Sequence, residues 1–177
     1  MSEHNHIHDT CSPCNHNLAT DTETCEFCQA LGGTFIYRDS KLRVINANDS
    51  DFPMYTRVIW EDHSKEMTDL SIADRHYLMD HIYLIEGVQR NLLKAVKVNL
   101  AQFGNVVPHL HWHVIPRFSW DLRYPNSFWS HNMRERDDAY LAKLAELYKM
   151  VPEYHAALLD AFIKHSIGDK AVECGCH

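Results

Sequence analysis

Apolar residues recur at alternate positions in several short stretches and at helical spacing in longer ones, and this contrast predicts the elements. After Gly32-Gly33, the runs Thr34-Phe-Ile-Tyr37 and Lys41-Leu-Arg-Val-Ile45 read as a hairpin, residues 46–53 as a loop, and residues 55–60 as a third strand. Between residues 68 and 94 the period changes. Leu78, Ile82, Ile85 and Leu92 form a helical stripe, and Ser71 with Asp74 forms a capping box at its start. Residues 95–100 and 108–116 read as two further strands joined by a loop holding Gly104. Residues 117–136 are irregular and aromatic, with Trp120, Phe128 and Trp129 equally suited to a lid or dimer contact and to ordinary packing. Helices over 137–150 and 152–166 follow, with Pro152 at the start of the second. The expected fold class is α+β: a five-stranded antiparallel sheet with one long packed helix, plus C-terminal helices.

Composition sharpens this picture at the ends. A chain of 177 residues that is 45% hydrophobic supports one domain with appendages. Residues 1–24 are polar and read as a disordered His/Cys-rich tail, 25–136 as the folded domain, and 137–177 as a C-terminal helical extension. In the tail, His4, His6, His8, Cys11, Cys14 and His16 read mainly as solvated residues, with adventitious metal binding as the alternative. A net charge of −7 with no basic patch argues against a nucleic-acid partner, and the lack of an 18-residue apolar run argues against a membrane span. The cysteines fall in close pairs, Cys11/Cys14, Cys25/Cys28 and Cys174/Cys176, a spacing suited to metal or redox chemistry in a reducing cytoplasm.

The chemistry concentrates in His109-Leu-His-Trp-His-Val-Ile115. If this stretch is a strand, His109, His111 and His113 share one face at about 7 Å intervals, while Leu110, Trp112 and Val114 cover the other. Three imidazoles in a row would waste a core position unless they act. Two uses fit. His-x-His can chelate a catalytic metal, although the next acidic residue along the chain, Asp121, is too distant to share the strand. Alternatively the central imidazole attacks phosphorus, since a side chain with an ordinary pKa of about 6.5 is largely a neutral nucleophile at pH 7.

Followed by Pro116-Arg117, this stretch resembles the signature of the histidine-triad (HIT) family of nucleotide hydrolases and transferases. The resemblance spans residues 25–135 and is strongest for bacterial members carrying Gly-Asn-Val-Val-Pro-His-Leu-His-Trp-His, here Gly104 to His113. It implies that His111 is the nucleophile, attacking the α-phosphorus of a nucleotide anhydride, ester or phosphoramidate to give a nucleotidyl-histidine. It implies that His113 contacts phosphate oxygens, with Asn99 and Asn105 at the nucleotide and phosphate site, and that the chain forms a homodimer. It further implies a structural Zn²⁺ held by Cys25, Cys28, His63 and His109, with no organic cofactor. The alternative for these four is a pair of free thiols with His63 in a hydrogen-bonded relay.

Two positions depart from the family pattern. Val106 stands where many members carry a hydroxyl that assists the leaving group, and Ala47, between Asn46 and Asn48, falls where an acidic residue binds ribose. These departures motivate one rival, a catalytically weak nucleotide-binding module; a separate alternative is a metal-dependent hydrolase centred on the histidine row.

Overall fold

The computed structural model of the protein describes residues 22–173. The tail histidines and cysteines singled out above, and Cys174 and Cys176, lie outside the described residues. A short helix α1 (Glu26–Gln29) precedes β1 (Thr34–Arg38), β2 (Leu42–Asn46) and β3 (Thr56–Trp60). The long helix α2 (Ile72–Leu93) follows, then β4 (Lys97–Gln102), β5 (His111–Arg117) and α3 (Asp138–Glu173). The five strands form one antiparallel sheet in the order β1-β2-β3-β5-β4, as the α+β reading expects.

Strand alternation gives the sheet two unlike faces. One carries Leu42, Val44, Val58, Val114 and Val98, fully or nearly fully buried under α2 and α3 in the main core. The other carries Arg43 and Ile45 on β2, Arg57 and Ile59 on β3, and His111, His113 and Arg117 on β5. The register sets Arg57 opposite His113 and Ile59 opposite His111, so the functional face follows from the pairing.

Ser71 caps α2, its hydroxyl oxygen accepting from the Asp74 amide at 3.1 Å while its O–H donates to the Asp74 carboxylate at 2.7 Å. Lys94, in the left-handed region at φ 53°, ends the helix. The buried stripe runs Leu78, His81, Ile82, Ile85, Gln89 and Leu93, so Gln89 and Leu93 take the position that Leu92 has in the sequence pattern. Gln89 is fully buried, and its amide donates to the carbonyls of Met54 and Val114 and to the Tyr154 hydroxyl.

The C-terminal region differs from expectation. One continuous helix replaces the pair, with Pro152 inside it. An internal proline costs about 3 kcal/mol through a lost hydrogen bond and a ring clash. Against this, Tyr140, Leu144, Leu147, Tyr154, Leu158 and Phe162 are all buried on one helical stripe that runs straight across Pro152. At about 1.5–3 kcal/mol for each large apolar side chain, that burial outweighs the break. Tyr154 also serves the interior, its hydroxyl lying 2.7 Å from Thr56 Oγ1 and 2.9 Å from Gln89 Nε2. Tyr154→Phe removes both contacts while Thr56 and Gln89 keep their bonds to backbone carbonyls, and is expected to cost about 0.5–1.5 kcal/mol, read as an earlier midpoint in urea with an unchanged slope.

Strand boundaries shift as well. β4 begins at Lys97 rather than residue 95, and β5 begins at His111, leaving His109 before the strand. The His109 amide donates to the Val107 carbonyl and the Leu110 amide to Ser64, so the chain turns here instead of continuing the ladder. The expected straight row of three imidazoles is therefore a strand pair preceded by a turn residue.

Candidate active site

His111 and His113 stand side by side on β5, ring centroids 4.8 Å apart, and both are nearly buried. They line a cavity of about 530 Å³ whose walls include Glu26, Phe27, Arg57, Phe103, Trp129 and the 104–107 loop. Gly104 starts that loop at φ +118°, a conformation that L side chains rarely adopt, which accounts for a glycine here. Asn105 and Val106 follow at the rim, Val106 being 94% exposed.

A hydrogen bond fixes the proton on His111, and another holds the His113 ring. His111 Nδ1 lies 2.6 Å from the His109 carbonyl, which can only accept, so Nδ1 carries the proton and the Nε2 lone pair is free. His113 Nδ1 meets the Tyr55 hydroxyl, and that oxygen in turn accepts from Arg57 Nε at 3.2 Å. Burial raises the Tyr55 pKa, so the phenol keeps its proton and can donate it to Nδ1. In that tautomer His113 holds its own proton on Nε2. Burial, with help from Arg57, lowers the His111 pKa, while its bond to the His109 carbonyl works in the opposite sense. Burial, then His111 and Arg57, brings His113 down to about 3. Both rings are neutral near pH 7: one offers a lone pair, the other an N–H.

His109 points elsewhere. It is fully buried, with Nε2 2.6 Å from the Trp60 carbonyl, which leaves Nδ1 bare. That atom lies 3.4 Å from Cys25 Sγ and 3.5 Å from Cys28 Sγ, and His63 Nδ1 lies 3.3 Å from Cys28 Sγ. All four donor atoms fall within 4.8 Å of one another. A tetrahedral ion with Zn–S about 2.3 Å and Zn–N about 2.0 Å needs sulfur–nitrogen separations of about 3.5 Å, so the cluster fits and allows a zinc site. The hydrogen bond from His109 to Trp60 is the outer-shell contact that orients a ligating imidazole. Without a cation, burial and the adjacent Cys25 push the Cys28 thiol up to about 11.

Arg43 braces this corner. It is buried, donating to the carbonyls of Phe27, Ala30 and Leu31 and to Glu61, so it ties the Cys25–Cys28 turn to the sheet.

Asn99 does not reach the histidine cavity. Its Oδ1 accepts from Arg117 at 2.7 Å, and it lines a neighbouring hollow with Asn126 and Phe128. The amides flanking Ala47 are also engaged: Asn46 donates to the Pro53 carbonyl at 2.6 Å, and Asn48 accepts from the Thr34 hydroxyl at 2.8 Å. Of the aromatic residues after the triad, Trp129 lines the cavity, 5.4 Å from the His113 ring, whereas Phe128 and Trp120 pack in satellite cores. Arg57 and Tyr55 escape a motif-based reading. Arg57 does carry a signal, as the only charged residue in the otherwise apolar or hydroxylic run Tyr55–Trp60.

An antiparallel sheet backed by a long helix, presenting paired imidazoles in a cavity, defines a histidine-triad architecture. The chain belongs to that family, the HIT-domain model matching residues 31–120. Membership supports a nucleotide-binding hydrolase or transferase at the level of the class. A histidine triad protein from Bradyrhizobium japonicum is similar at 23% identity and TM-score 0.56, over 72% of this chain and 89% of its own. A second, from Sinorhizobium meliloti, shares 21% identity at TM-score 0.56 over 74% and 90% of the two chains. A Zn-bound family member from Mycobacterium smegmatis shares 22% at TM-score 0.54, over 83% and 99%. At these identities the likeness is one of fold. No curated protein sequence matches the chain. Among the described residues no helix is long and apolar enough to cross a membrane.

Proposed function

We propose that this chain hydrolyses or transfers nucleotidyl groups through a covalent histidine intermediate. The observation that carries this reading is the free Nε2 lone pair of His111, held in the cavity by the Nδ1 bond to the His109 carbonyl. In the first step His111 Nε2 forms a bond to the α-phosphorus of a nucleotide. The bond from phosphorus to the leaving group breaks, and its electron pair departs with that group. The His111 ring becomes an N-phosphorylated imidazolium, whose Nδ1–H is stabilised by the same carbonyl. The Nε2–H of His113 and the side-chain amide of Asn105 donate to the phosphoryl oxygens, where negative charge grows. In the second step water forms a bond to phosphorus, releases its proton to solvent, and the P–N bond breaks to return neutral His111 and a nucleoside monophosphate.

Cys25, Cys28, His63 and His109 would hold a structural zinc. Four protein donors leave no open coordination position, so such an ion supplies rigidity rather than a hydroxide. It would fix His109, whose carbonyl orients His111.

Intact-protein mass spectrometry after mixing with diadenosine tetraphosphate or adenosine phosphoramidate tests the reading. Quenched protein heavier by one nucleoside monophosphate is the expected result. Turnover with no adduct overturns the covalent route, and nucleotide binding without turnover leaves a binding module.

A further inference from the structure

Four arginines lie on the functional face of the sheet, and three are paired with carboxylates: Arg38 and Arg43 with Glu61, and Arg117 with Asp121. Arg57 has no carboxylate partner among the described residues. Its Nε donates to the Tyr55 hydroxyl, its guanidinium lies over the Phe27 and Tyr55 rings at 6.0 and 5.2 Å, and among the described residues its two terminal nitrogens have no protein acceptor. This cation lines the same cavity as His111 and His113, directly across the strand pair from His113. Among the described residues the lining holds no lysine and no second arginine, and its one carboxylate residue, Glu26, is acidic. Arg57 is therefore the permanent positive charge in the lining of this cavity.

We propose that Arg57 is the specificity-determining residue of the cavity: it binds phosphate oxygens bidentately and selects nucleotide phosphoanhydrides over phosphoramidates. This rests on the function proposed above and names the substrate class. The reasoning is a matter of charge and leaving groups. A polyphosphate brings several negative charges into a cavity with one permanent cation, and a guanidinium fork with two free terminal nitrogens matches that need. An amine leaves phosphorus only after taking up a proton. Val106 supplies no hydroxyl to deliver one, and His113 offers only the N–H of a neutral ring. A phosphate leaves as an anion and needs a cation more than an acid. Tyr55 sets the direction of the fork by holding Nε, and the same hydroxyl bonds His113 Nδ1.

The test uses the full chain and two readouts: calorimetric binding of inorganic pyrophosphate, and kcat/KM for diadenosine tetraphosphate relative to adenosine phosphoramidate. Arg57→Met is expected to weaken pyrophosphate binding about tenfold or more and to lower the anhydride preference by a similar factor. Arg57→Lys keeps the charge but loses the fork, and is expected to lower the preference about threefold. Should Arg57→Met fail to fold, the lysine variant decides alone. Unchanged pyrophosphate affinity, or an unchanged preference in a folded variant, overturns the proposal. If pyrophosphate binds through Arg57 but no histidine adduct forms with either nucleotide, the anion site stands and the covalent function falls. If the adduct forms while pyrophosphate ignores Arg57, the reverse holds.

Discussion

Replacing His111 with alanine or glycine is expected to abolish the covalent adduct and to lower kcat by about 10⁴-fold or more, while nucleotide affinity changes little. The asymmetry follows from where the lost group acts. A nucleophile contributes in the transition state and in the intermediate, and deleting one member of such a unit removes most of the chemical acceleration. Ground-state binding is shared by groups that stay in place: Arg57, the Nε2–H of His113 and the aromatic walls formed by Phe27, Phe103 and Trp129. Single-turnover kinetics with parallel equilibrium binding separates the two quantities. A variant that still turns over at a tenth of the native rate would show that another group attacks phosphorus. The variant also strands the His109 carbonyl, at a cost of about 1–3 kcal/mol, so a thermal melt accompanies the kinetics and distinguishes lost chemistry from lost structure.

His111 could be found from sequence because its signal is local. Alternation of imidazole with Leu110, Trp112 and Val114 marks a strand with one apolar face, and the structure buries Leu110 and Val114 and half-buries Trp112 on the helix-covered side. The same logic located the five strands, since each is one apolar run bounded by polar turns. The failures share a cause: tertiary contact overrides a local rule. Pro152 reads as a helix start, yet the stripe from Leu144 through Leu158 to Phe162 continues across it and holds one helix together. His109 reads as the first residue of the strand, yet Trp60 and the Cys25–Cys28 turn draw its side chain away from His111. Asn99 lies on the same face as the pair, but the buried Arg117 claims its oxygen. Arg57 was not legible as a pocket residue, because only the β3–β5 register sets it opposite His113 and only the fold leaves it without a carboxylate. Sequence periodicity reports which face a side chain occupies. It does not report what that side chain meets there.

Cys25→Ser, or removal of zinc by a strong chelator, is expected to destabilise the protein far more than a surface substitution and to slow catalysis only indirectly. Cys25 is 5% exposed and packs with Phe27, Ile45 and Ile59, so this corner is a small core in its own right. With zinc bound, two thiolates and two imidazoles are satisfied by one ion. Without it, the Cys28 thiol is pushed up to about 11 and remains a neutral, weakly bonded group beside two histidines. Among the described residues His63 Nε2 is buried with no hydrogen-bond partner, so the corner lacks spare polar contacts there with which to compensate. Breaking a buried charged cluster costs roughly 3–5 kcal/mol, and at about 3 °C per kcal/mol for a domain of this size Tm falls by about 10 °C or more. The helix-covered core does not depend on these residues, so the chain keeps most of its far-ultraviolet dichroism at 25 °C. Activity should fall in step with the disorder of His109, whose carbonyl orients the His111 ring, and adduct formation should persist at a reduced rate. Elemental analysis of the purified protein, with thermal melts before and after chelation, checks this. One equivalent of zinc and a large drop in Tm are expected. A metal-free protein whose melt ignores both the chelator and Cys25→Ser would instead make the four residues a hydrogen-bonded thiol–imidazole cluster, with His63 and His109 joined through sulfur.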